Sequence, residues 1–131
     1  YEPNREIEQR ARKNGARITV TQSVEEAVTD ADAVYTDVWA SMGQEEETAS
    51  RLKAFQDYQV NERVVAMAKK HAVVMHCLPA HRGQEITDEV LEGPQCIAFD
   101  QAENRLHVQK AIMVWLLRNF QDLDNDPWIT T

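Results

Sequence analysis

The stretch that most constrains this chain is a short apolar run, Ala72-Val73-Val74-Met75, leading directly into His76-Cys77-Leu78-Pro79. The run is β-branched and does not alternate, which is the pattern of a buried strand in a parallel sheet. Pro79 has no N–H to give to a ladder, so the strand must stop before it. A parallel strand ending in an imidazole, a thiol and a proline turns reactive groups out of the carboxyl edge of its sheet. Open α/β sheets hold their ligands at that edge.

The remaining sequence supplies more strands and the helices to cover them. Residues 4–14 predict a helix started by Pro3-Asn4, with Ile7 and Ala11 paired one turn apart and Asn14-Gly15 as its stop. Residues 17–21 (Arg-Ile-Thr-Val-Thr) predict a short strand. Ser23-Val24-Glu25-Glu26 is a capping box before a helix that carries Val24, Ala27, Val28 and Ala31 on one face. Residues 33–38 are a second strand, followed by a loop, Ala40-Ser41-Met42-Gly43, and an acidic first helical turn, Gln44-Glu45-Glu46-Glu47. Asn61 caps a helix that buries Val64, Val65 and Ala68. Thr87 or Asp88 caps a short helix ending at Gly93-Pro94. Residues 96–99 predict a fourth strand, and residues 103–120 a long helix with the stripe Val108, Ile112, Trp115, Leu116. Strands alternating with helices predict an α/β fold, a Rossmann-like three-layer sandwich around a mostly parallel sheet.

Composition narrows the functional classes. The formal net charge is −8 over 131 residues, which argues against a nucleic-acid partner, since phosphate binding needs clustered Lys and Arg. With 43% hydrophobic residues, and no apolar run near the roughly 18 residues of a membrane span, no membrane partner is expected. The opening Tyr1-Glu2-Pro3-Asn4 is polar, unlike a secretory leader. Cys77 and Cys96 show no disulfide-framework spacing and read as free thiols of a reducing, cytoplasmic setting. There is no GxGxxG fingerprint and no P-loop among the four glycines.

Three strand ends carry candidate chemistry. One ends at Asp37 and runs into Ser41-Met42-Gly43, one ends at His76-Cys77-Leu78, and one is followed by Glu103-Asn104-Arg105. In a parallel sheet all three open on the same edge, which would gather a carboxylate, a thiol, an imidazole and a guanidinium at one cleft. Each also has a plainer reading. Asp37 could accept loop N–H bonds, Cys77 could be a small buried hydrophobe, His76 could be a hydrogen-bonded core residue, and Arg105 could be a solvated helix residue. No Cys-x-x-Cys or His-x-x-x-His spacing supports a metal site.

Taken together, Asp37-Val38-Trp39-Ala40-Ser41-Met42-Gly43-Gln44-Glu45, then Phe55-Gln56-Asp57-Tyr58-Gln59-Val60, then His76-Cys77-Leu78-Pro79, then Ala102-Glu103-Asn104-Arg105 resemble ornithine carbamoyltransferase over nearly the whole chain. The resemblance implies transfer of the carbamoyl group of carbamoyl phosphate to the δ-amine of L-ornithine, giving citrulline and phosphate, with no metal or organic cofactor. It implies that Asp37 and Ser41 hold the α-amino group and that the Met42 backbone helps hold the carboxylate. Cys77, with Asp37, would orient the δ-amine, and the Leu78 carbonyl would face the reacting centre. His76 and Arg105 would contact the carbamoyl oxygen or its phosphate. Cys77 is thus a substrate-orienting group and not a nucleophile, because no base-and-orienter pair accompanies it.

The family's phosphate-binding Ser-x-Arg-Thr loop has no counterpart here. Residues 1–131 resemble the later part of the family's ornithine-binding domain, and the sheet is expected to lack strands between 17–21 and 33–38. Alone, the chain is expected to be inactive. In the family, this domain belongs to a homotrimeric, cytoplasmic enzyme of arginine metabolism. Two rival readings remain: a carbamoyltransferase for another amine such as putrescine, which lacks the α-carboxylate, and a non-catalytic α/β binding module whose strand-end residues are structural.

Overall fold

A computed structural model describes residues 1–40 and 47–119. The Ser41-Met42-Gly43 loop and the start of the acidic turn therefore lie outside the described residues. The described elements are α1 (Arg5–Lys13), α2 (Val24–Val28), β1 (Ala33–Thr36), α3 (Thr48–Phe55), α4 (Glu62–Val65), β2 (Val73–His76), α5 (Asp88–Leu91) and α6 (Ala98–Asn119).

Local signals in the sequence set the helix starts. The Asn4 side chain accepts the N–H groups of Glu6 and Ile7, Ser23 that of Glu26, Asn61 that of Val64, and Thr87 that of Val90. Each cap satisfies a donor the helix itself cannot pair. The Ser23 box is only half formed. The Glu26 carboxylate accepts the Thr21 hydroxyl at 2.6 Å instead of reaching back to the cap. Asn14-Gly15 closes α1, with Gly15 at φ +89°, a left-handed stop that glycine adopts without a Cβ clash.

β1 and β2 pair in parallel, with Ala33 opposite Val73 and Thr36 opposite His76. Val74 and His76 share the buried face of β2. The core forms around Val74 from Val28, Val34, Val60, Val64, Val65, Ile86, Val90, Leu91 and Ala98. It is rich in valine, whose branched side chain packs well against a pleated surface. The long helix α6 packs against β2.

Three expectations are corrected. Residues 17–21 form no strand; Val20 is exposed, and no described strand lies beside the segment to complete a ladder. The predicted strand 96–99 shrinks to one parallel bridge, Cys96 to Val74, made by the Val74 N–H to the Gln95 carbonyl and the Ile97 N–H to the Val74 carbonyl. The Gln101 N–H then bonds the Ile97 carbonyl at 2.8 Å, so the backbone is already helical where the strand was expected to continue. The stripe on the long helix is not buried: Val108, Ile112 and Trp115 each keep more than half their surface exposed, as do Leu106 and Leu117.

Candidate functional site

The parallel register decides what meets at the carboxyl edge. Thr36 lies opposite His76, so the next residue of each strand, Asp37 and Cys77, emerges side by side. The Cys77 thiol donates to Asp37 Oδ1 at 3.0 Å. The same oxygen accepts the Val38 N–H at 2.7 Å, so Asp37 does serve as a loop acceptor. Behind this loop Trp39 stacks toward Phe55, and Arg51 lies 5.1 Å over the Tyr1 ring while its Nη1 donates to the Trp39 carbonyl. These contacts hold Trp39 in place two residues after Asp37.

Asp37 also sets the state of the thiol. The hydrogen bond to its carboxylate, then desolvation of the sulfur, then charge repulsion from Asp37 raise Cys77 above its ordinary range. Weaker contributions from its own backbone and the Tyr35 hydroxyl oppose this. Cys77 is therefore held as a neutral donor. A thiolate nucleophile needs an electropositive setting, and this one is the reverse.

His76 is placed differently from the expectation. It was expected to touch the carbamoyl oxygen or phosphate, but its side chain has no exposed surface. Both ring nitrogens are occupied: Nδ1 accepts the Leu78 N–H at 2.8 Å, and Nε2 lies 3.1 Å from Glu85 Oε1. The even spacing along β2 that turns Val74 inward turns His76 inward as well. Leu78 itself sits at φ +55°, in the left-handed region, and is half-buried.

The third candidate end does not join the pair. Because α6 begins at Ala98, Arg105 lies two turns along it, exposed, and no described hydrogen bond or ion pair links it to Asp37, His76 or Cys77. From α6 it is Gln101 that reaches β1, donating to the Tyr35 hydroxyl at 2.9 Å. That hydroxyl in turn weakly opposes the rise of the Cys77 thiol. Ser41 and Met42 fall outside the described residues. Sequence reasoning missed Glu85, Tyr35 and Gln101. Tyr35 could have been found, since it stands two residues before Asp37 on one strand face. Nothing local in His81-Arg82-Gly83-Gln84-Glu85 marks its last residue as buried.

The chemistry available at this edge is acceptor-rich: a carboxylate, a neutral thiol and, one residue on, a backbone carbonyl at Leu78. Such a set suits an amine or ammonium ligand. Among the described residues no three His, Cys, Asp or Glu side chains come together as metal ligands would.

The parallel strand pair, the helices around it and the polar cluster at its carboxyl edge define a Rossmann-like α/β ligand-binding domain. Residues 1–116 match the family model described as aspartate/ornithine carbamoyltransferase, Asp/Orn binding domain. The chain belongs to that family. It is 59% identical over 117 residues to the ornithine carbamoyltransferase of Archaeoglobus fulgidus, an alignment covering 89% of this chain and 38% of that protein. Among solved structures it is similar to ornithine carbamoyltransferase from Pyrococcus furiosus (TM-score 0.77, 49% identity, 86% of this chain and 37% of that one). It is also similar to the anabolic ornithine carbamoyltransferase of Campylobacter jejuni (TM-score 0.82, 36% identity, 91% and 41%). The chain thus spans about two-fifths of the length of the relatives it matches.

Proposed function

We propose that residues 1–131 are the ornithine-binding part of an ornithine carbamoyltransferase, in which carbamoyl phosphate is gripped mainly by residues outside this chain. The observation that carries the reading is the Cys77–Asp37 contact across two adjacent strand ends, 3.0 Å long. The family match supports it. The reaction forms a bond from the δ-nitrogen of L-ornithine to the carbamoyl carbon and breaks the carbon–oxygen bond to phosphate, leaving citrulline and phosphate.

In this reading Asp37, with Ser41, holds the α-ammonium of ornithine, and the Met42 backbone holds its carboxylate. Cys77 and the Leu78 carbonyl orient the δ-amine. That amine must be unprotonated to attack, and acceptors around it fix the direction of its lone pair. A neutral thiol serves better here than a thiolate, which would favour the unreactive ammonium. Negative charge develops on the carbamoyl oxygen, and in this reading the Arg105 guanidinium meets it, as the family resemblance implies. His76 leaves the set of substrate contacts because it is enclosed. Most of the acceleration comes from holding two small molecules in register. The setting is a cytoplasmic homo-oligomer, a homotrimer, acting in arginine metabolism.

The test is an amide-resolved titration of the chain with L-ornithine, putrescine and N-acetyl-L-ornithine. Saturable but weak shifts at Asp37, Val38, Cys77 and Leu78 with L-ornithine, smaller with the other two amines, are expected. No turnover is expected from this chain with carbamoyl phosphate present. Equal responses to putrescine would overturn the α-amino-acid assignment. Shifts confined to other parts of the chain would overturn the site.

A further inference from the structure

Among the described residues only two polar side chains are buried, His76 and Glu85, both with 0% exposure. A carboxylate with no exposed surface is expensive to keep unless hydrogen bonds offset its desolvation. Glu85 Oε1 accepts the His81 N–H at 2.6 Å and lies 3.1 Å from His76 Nε2, while Oε2 has no partner. Glu85 is itself fixed firmly: its carbonyl accepts the Val60 N–H at 2.8 Å, and the neighbouring Ile86 is fully buried.

The direction of the bonds follows from one contact. His76 Nδ1 accepts the Leu78 N–H, so Nδ1 carries no hydrogen and the ring proton sits on Nε2, pointing at Glu85. A carboxylate at Nε2 selects that tautomer over the other. The selected tautomer in turn offers Nδ1 to Leu78, the residue held at φ +55°. A leucine in the left-handed region is strained and needs surrounding bonds to hold it there. Leu78 also follows Cys77, whose thiol meets Asp37.

We infer that Glu85 is a positioning residue of this site. Its carboxylate fixes the His76 tautomer, and His76 holds Leu78 in its left-handed conformation, which aims the Leu78 carbonyl and the Cys77 thiol at the amine. The last clause rests on the proposed function; the lock itself does not.

The test uses the 131-residue chain without ligand. Long-range proton–nitrogen spectra report which nitrogen of His76 is protonated, and amide exchange reports the Leu78 N–H. In the unaltered chain Nε2 is protonated and Leu78 exchanges far more slowly than an open loop. Glu85→Gln keeps an acceptor and retains both signatures. Glu85→Leu keeps the volume but not the acceptor: His76 then samples both tautomers, and Leu78 exchange rises at least roughly tenfold while Val28 and Val64 change less than about threefold. Protonation of Nδ1, or rapid Leu78 exchange in the unaltered chain, overturns the inference. So does unchanged Leu78 exchange in Glu85→Leu. If the leucine variant does not fold, loss of either signature in Glu85→Gln overturns it alone. Ornithine takes no part in these measurements, so a failed ornithine titration removes the proposed function and leaves the lock standing.

Discussion

Ile86 and Ile112 have the same side chain and opposite surroundings, so replacing each with alanine separates what burial contributes from what helix propensity contributes. Ile86 has 0% exposure and Ile112 51%. Truncating Ile86 removes three carbons, about 2.4 kcal/mol of lost transfer free energy at ~0.8 kcal/mol each. The cavity left in a valine-rich core that relaxes only partly adds about 1–2 kcal/mol. The sum, near 4 kcal/mol, is a large share of the roughly 5–15 kcal/mol that holds a domain of this size together. At Ile112 half the contact with water is already present and no cavity forms. Alanine's better helix propensity offsets part of the remainder, leaving a cost of about 0.5 kcal/mol or less. Urea unfolding followed by far-ultraviolet circular dichroism measures both, with an unchanged m-value as the sign that the same transition is compared. A cost below about 1 kcal/mol at Ile86 would refute the packing argument. Equal costs at the two sites would show that the stripe on α6 is covered in solution and that exposure in a single chain misjudges it.

Asp37→Asn should speed alkylation of Cys77 severalfold at any pH between about 7 and 9, because it removes the negative charge that disfavours the thiolate while an amide oxygen remains. The raised thiol also fixes a sign for stability: its contribution is present at neutral pH and is lost as pH climbs through the raised value. Mass-resolved labelling rates across pH check both statements, and an unchanged rate in Asp37→Asn would count against the 3.0 Å contact. In a complete carbamoyltransferase carrying this chain, Cys77→Ala should impair the use of ornithine far more than the binding of carbamoyl phosphate; steady-state kinetics with each substrate varied decides. Gly93→Ala should destabilise the chain by about 1–3 kcal/mol, since the new Cβ would stand 2.7 Å from the Glu89 carbonyl and 3.2 Å from that of Val90. Thermal unfolding measures this, and a stabilised variant would contradict it.

What the sequence announced correctly was local. Asn4, Ser23, Asn61 and Thr87 each cap a helix within three residues, so nothing distant had to be known. The run into His76 was equally legible, because a β-branched stretch stopped by proline has few alternatives. The failures were non-local. Residues 17–21 have strand composition, but a strand exists only with a neighbour, and no described one is there. Ile97, Ala98 and Phe99 suit a strand or a buried helix start equally well. The Gln101-to-Ile97 hydrogen bond decided for the helix. That decision moved Arg105 from the first turn of the predicted helix to the third turn of α6.

The same division runs through the site. That Asp37 and Cys77 meet follows from register alone: two parallel strands paired at Thr36 and His76 must release their next residues together. The mistake lay one residue earlier. His76 was grouped with Cys77 because both carry chemistry, yet adjacent strand residues face opposite ways. Had that rule been applied with Val74 taken as core, His76 would have been placed inside and a buried partner sought for it. The partner, Glu85, comes from a loop nine residues later, whose backbone is tied to Val60 by the Val60 N–H bond to the Glu85 carbonyl. The pair at the strand ends was legible from the edge it shares, whereas the buried partner of His76 depends on how a loop folds back, which no spacing in the sequence encodes.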